Sequence, residues 1–301
     1  MMEVSESTFG LLSRLWLREP DPESLDECRE LPSVALHATD PDVMAAAYAD
    51  LFLLNVYPYG TAFTDPSGEL GGPKAGWTAR RYEDRGFRPP ELLEVGAPDH
   101  VGLCLGYLDH LERVGEKDVE FSSSLLEWVP ICCLAVEREP AGHPFYKAVA
   151  LLTRQRLLEG AFQSLPCVRD KTDPPGEEEE EVGLSQVVRF LLPPARSGFF
   201  LSRAKLGRLA RAAGMSLPFG SRFDVARALF QTAGERGNVG TVLGLLGEEL
   251  SVWESAYRSW ADEHPYWKPF ADGWLGRTGE TRRMLGQMRE ILENPPELEY
   301  A

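Results

Sequence analysis

The chain has 301 residues, 43% of them hydrophobic, which suffices for one large or two ordinary domains and excludes global disorder. Its 31 Lys and Arg stand against 47 Asp and Glu, giving a net charge of −16 and a pI of about 4.8. Nucleic acids and anionic membranes require basic patches, so this balance argues against both and favours basic peptides as partners.

Residues 5–19 read as an amphipathic helix with Phe9, Leu12, Leu15 and Trp16 on one side. Asp40-Pro41 has the form of an N-cap followed by a proline at the first helical position. The helix it opens carries Val43, Met44, Ala47, Leu51 and Phe52 along one face and stops near Tyr57-Pro58. From Gly60 to Pro90 the chain is rich in glycine, proline and charge and reads as turns, with Trp77, Tyr82 and Phe87 packing part of it down.

Pro98 then blocks any helix arriving from upstream, and Asp99 is placed to cap a new one whose core side is Val101, Cys104, Leu105, Leu108 and Leu111. His100 is expected beside Asp99 at the helix mouth, outside the interior. An apolar helix follows over Phe121–Val136, and Pro144 opens another that runs to Phe162. Asp170 to Glu181, with two prolines and five consecutive glutamates, reads as a solvated linker. Beyond it, Ser202 is placed to cap a helix to Ala213. Further helices are expected over Arg222–Thr232, Val239–Leu250 and on to Leu292. Trp253, Tyr257 and Trp260 form an aromatic stripe that is read as core, with a ligand groove as the alternative.

Alternating apolar runs and hairpin signals are nearly absent, so the expected fold class is all-α. Enzyme readings find no support: the chain has no phosphate-binding glycine loop, no nucleophile elbow and scattered histidines. His100 and His110 lie about 15 Å apart along a helix and cannot share a metal within it. The five cysteines (28, 104, 132, 133 and 167) lack C-x-x-C spacing and read as buried small hydrophobes. No basic-then-apolar leader and no apolar run of membrane-spanning length is apparent, so the expected compartment is the cytoplasm.

Pro98-Asp99-His100 and the apolar positions after it resemble the Pro-Asp-His motif of the TorD/DmsD family of redox-enzyme maturation chaperones. Tyr48-x-x-Leu51-Phe52, followed by Val56-Tyr57-Pro58-Tyr59, resembles that family's aromatic-x-x-Leu-Phe helix and Pro-aromatic turn. Phe121, Leu125 and Trp128 keep a third pattern, although Ser124 stands where a histidine is expected.

The resemblance covers roughly residues 5–165. It implies a TorD-like helical core over 1–165, to which the charge run adds an acidic linker over 166–185 and the helical periodicity a C-terminal helical domain or extension over 186–301 that no motif places. It further implies a non-catalytic chaperone that binds the twin-arginine signal peptide and apo form of a molybdenum-containing oxidoreductase, assisting cofactor insertion and delaying export. No cofactor or metal of its own is expected. Tyr48, Leu51, Phe52, Tyr57, Pro58, Tyr59, Asp99 and His100 are the peptide-binding candidates. Asp99 would accept from an arginine, and His100 would donate or switch with pH near neutrality. Monomer and dimer both remain open. A structural or scaffold subunit of a redox complex is the alternative from another class, and a small-molecule regulator using the aromatic stripe is a third.

Overall fold

Every regular element among the described residues is a helix, in agreement with the all-α expectation. The computed structural model describes residues 8–159 and 184–294 and divides into two compact units, Met1–Thr172 and Asp173–Ala301. The acidic run Glu177–Glu181 and all but the last two positions of the expected 166–185 linker lie outside the described residues. So do the expected helix end at 160–162, the helix start at 5–7, and Cys167.

The first unit opens with α1 (Thr8–Leu17), then α2 (Pro22–Glu27) and α3 (Pro32–Ala35). In α4 (Pro41–Tyr48) the Asp40 carboxylate accepts from the Asp42 and Val43 amides, as a cap before Pro41 should. The helix continues as a wider π-type turn over Ala49–Asn55, closed by the Val56 amide on the Leu51 carbonyl at 2.7 Å. Met44, Leu51 and Phe52 face inward as expected, but Val43, one step round the helix from Met44, is 52% exposed.

The glycine- and proline-rich stretch folds more than its composition suggests. It holds α5 (Gly60–Thr64) and α6 (Pro73–Asp84), and α7 (Leu92–Val95) follows it. Gly71-Gly72-Pro73 is a helix start with proline at its first position. Tyr82 is buried, and Trp77 and Phe87 are half-buried.

Next come α8 (Val101–Val114), α9 (Val119–Glu137) and α10 (Pro144–Leu158). Helix α1 packs along α8 so closely that a Cβ on Gly102 would stand 2.5 Å from the Leu17 Cγ. Helix α9 corrects the sequence expectation about apolar runs: its 19 residues are long and apolar enough to cross a membrane. However, 78% of its apolar window is buried inside the unit, and a helix apolar on all sides is what a core centre requires.

The second unit comprises α11 (Leu184–Leu191), α12 (Pro194–Ser197), α13 (Arg203–Ala212), α14 (Arg222–Arg236), α15 (Val239–Glu263) and α16 (Lys268–Glu293). Ser202 caps α13 as expected, accepting from the Lys205 amide. The helix expected from Val239 runs unbroken to Glu263 as α15. Trp253, Tyr257 and Trp260 meet Trp267 and Trp274 in a buried aromatic cluster, so the stripe is core. The Tyr257 hydroxyl donates to the Gly198 carbonyl at 2.7 Å. Gly198 has φ +78°, and a Cβ there would lie 2.6 Å from the Thr278 backbone nitrogen, so only glycine fits between α12 and α16.

Candidate functional site

Two segments some forty positions apart close on each other. The Gly60 amide donates to the Asp99 carbonyl at 2.9 Å, and the Val101 amide donates to the Pro58 carbonyl at 2.8 Å. Together they form a single antiparallel bridge between Tyr59 and His100. The Tyr59 and His100 rings meet edge to face with centroids 5.0 Å apart. The Tyr59 hydroxyl donates to the Val95 carbonyl and the Tyr82 hydroxyl to the Pro98 carbonyl, fixing both flanks of the clasp.

Within it, the expected roles of Asp99 and His100 are exchanged. His100 is the N-cap of α8, its Nδ1 accepting from the Gly102 amide at 3.0 Å. Asp99 instead serves α5, its Oδ2 accepting from the Thr61 amide at 2.7 Å. The reason is topological: the Tyr59 turn arrives with two open amides of its own, and Asp99 is the residue facing them. Neither group sits at an open helix mouth, since each is only 2% exposed.

Burial also holds the His100 imidazole down to about 3, so it is neutral at physiological pH and does not switch near neutrality. With Nδ1 accepting, its proton resides on Nε2. The Tyr59 phenol is pushed up, first by burial and then by the Asp99 carboxylate. The one unsatisfied atom of the clasp is Asp99 Oδ1, which is buried and has no hydrogen-bond partner. Groups of this kind are rare in folded proteins and call for a ligand, an ion or a water.

The structure therefore brings Pro58, Tyr59, Asp99 and His100 together. It places Tyr48, Leu51 and Phe52 in a different cluster. Phe52 packs against Trp16, Tyr48 and Tyr146 with centroids 5.0–5.6 Å apart. The half-buried Tyr48 donates its hydroxyl to the Trp16 carbonyl. Leu51 is 1% exposed and Phe52 3%, so both side chains pack in the core. Tyr57 is half-buried on the chain between the two groups. Sequence reasoning missed Leu53 and Leu54, which the π-type turn leaves 62% and 43% exposed just before the Tyr57-Pro58-Tyr59 turn. Four consecutive apolar residues, Leu51 to Leu54, are more than one helix face can bury; that was the available signal.

Among the described residues no group of three His, Cys, Asp or Glu side chains is arranged to hold a metal. An open apolar groove of about 800 Å³ lies in the second unit instead, between α11 and the end of α16, with Phe190, Met284 and Met288 among its walls.

Residues 18–133 match the model of the nitrate reductase delta subunit family. That family comprises maturation chaperones of molybdoenzymes. The match lies within the first unit and spans the whole clasp, from α4 through α8, while covering less than half of the chain. Neither a curated protein nor a solved structure matches the chain.

Proposed function

We propose that the chain is a cytoplasmic, non-catalytic chaperone that binds the twin-arginine leader and apo form of a molybdenum-containing oxidoreductase and delays its export until the cofactor is in place. The family match supports the client class, and the likeness of Pro98-Asp99-His100 to TorD and DmsD supports the leader as the recognised segment. The observation that carries the reading is Asp99 Oδ1, a buried carboxylate oxygen with an acceptor site to fill. A guanidinium satisfies it with a charge-assisted bond, stronger than a neutral one. Reaching it requires the clasp to open locally, so the Gly60 and Thr61 amides report on binding. Tyr57 and Tyr59 offer half-exposed faces for stacking, and Leu53 and Leu54 offer exposed surface for the apolar stretch behind the arginines.

Isothermal titration of the full chain with an Arg-Arg leader peptide and its Lys-Lys variant tests this. The expected result is tighter binding of Arg-Arg, weakened about tenfold or more in Asp99→Asn. A wild-type chain that ignores the leader, or an Asp99→Asn form that binds it equally well, sinks the reading. The family's name, that of a subunit, keeps a scaffold role as the second reading. Copurification separates the two, because a chaperone leaves the mature enzyme and a subunit remains at fixed stoichiometry.

A further inference from the structure

The net charge of −16 conceals a division. Residues 8–159 carry 14 basic against 25 acidic side chains, whereas residues 184–294 carry 15 against 11, a net of +4. From Leu184 to Phe223 there is no Asp or Glu, but there are seven Arg and Lys. Helix α13 holds the densest part of this stretch. Leu206, Leu209 and Ala210 bury its inner face, and Lys205 is taken up by Glu249 at 2.9 Å.

The outer face presents Arg208 and Arg211, three residues apart, with the small residues Ala204 and Gly207 beside them, and Arg203 stands on the flank at the helix start. Arg208 and Arg211 are exposed, and among the described residues none of the three arginines is paired with a carboxylate. The Arg203 guanidinium sits 4.6 Å from the centroid of the Phe219 ring. Phe219, which follows the exposed Pro218 in the connection from α13 to α14, is itself 87% exposed.

An exposed aromatic ring stacked on one guanidinium, next to a helix face carrying two more, suits an apolar layer covered by anions. A partner offering carboxylates alone would engage the arginines and leave Phe219 in water. A nucleic-acid strand prefers successive aromatic platforms, and this face has one.

We propose that the α13 face and Phe219 form a peripheral docking surface for anionic lipid headgroups, with the arginines on the phosphates and Phe219 entering the acyl boundary. Binding of this kind is weak and reversible, unlike membrane insertion.

Flotation of the full chain with vesicles of phosphatidylcholine, alone or mixed with phosphatidylserine, at low and high salt tests it. The expected result is recovery with the mixed vesicles only, lost at high salt. Phe219→Ser lowers it about tenfold or more, and the triple change of Arg203, Arg208 and Arg211 to Gln lowers it about a hundredfold. Both variants keep the wild-type melting temperature and leader affinity, and Phe219→Trp restores flotation. The proposal is overturned if the wild type does not float with phosphatidylserine, if it floats equally with phosphatidylcholine alone, or if the variants float as well as the wild type. It is also overturned if oligothymidylate or polyglutamate binds this face and vesicles do not, which would place a nucleic acid or an acidic protein there.

Discussion

Asp99 Oδ2 accepts the Thr61 amide proton at 2.7 Å, so the residue preceding the cap of α8 serves as the cap of α5, 38 positions earlier in the chain. One side chain thus has two tasks that substitution can separate. Asp99→Asn keeps a carbonyl oxygen for Thr61 and is expected to cost less than about 1 kcal/mol, whereas Asp99→Ala removes the cap and costs about 1–2 kcal/mol. Urea unfolding measures the difference. Leader affinity falls in both variants if Oδ1 is the arginine's acceptor.

His100 makes stability depend on pH. Its folded-state pKa of about 3 lies below the ordinary imidazole value of 6.5, so the unfolded chain binds the proton more readily between those limits. The contribution is complete above about pH 6.5 and is lost as pH falls toward 3, with a slope of up to about 1.4 kcal/mol per pH unit. His100→Asn keeps an acceptor for the Gly102 amide but cannot take the proton. Urea midpoints from pH 7 to pH 5 are expected to fall for the wild type and to fall less for the variant; parallel curves contradict this.

Leu53 and Leu54 are expected to matter for binding and little for folding. Changing both to Ser leaves stability within about 0.5 kcal/mol, since exposed side chains bury little. The same change weakens leader binding about tenfold or more if the apolar stretch lies on them. Leu51→Ala, one turn away in the core, gives the reverse signature, a loss of about 2–5 kcal/mol in stability. Titration and unfolding of the same three proteins decide it.

Gly102→Ala is expected to destabilise the first unit by about 1–3 kcal/mol. The added methyl meets the Leu17 side chain at 2.5 Å and the Ser13 carbonyl at 2.9 Å, and backbone cannot yield as a side chain does. It also strains the bond from the Ser13 hydroxyl to the Gly102 carbonyl. Thermal unfolding reports the loss.

Helix starts were legible where the capping residue and the following proline are neighbours in the chain. Asp40-Pro41 and Pro144 both start helices as read, the latter capped by His143, and Ser202 caps its own. The same rule failed at Pro98-Asp99-His100, because the amides that claim Asp99 belong to Gly60 and Thr61. No local pattern reveals a partner that far away. Periodicity identified Leu51 and Phe52 as inward-facing, but it could not say that Tyr48 and Phe52 would join Trp16 and Tyr146 while Tyr59 joined His100. Whole-chain charge was a poor guide for the opposite reason: the balance averages a basic helix face into an acidic total.

The bridge between Tyr59 and His100 ties α5, α6 and α7 into an excursion that leaves and returns through one neck. Extra length inside such a loop adds only a logarithmic entropy cost, so residues spliced in after the exposed Ser67 leave the neck intact. The two protected amides, Gly60 and Val101, would then surrender their protons to solvent together, as a single latch.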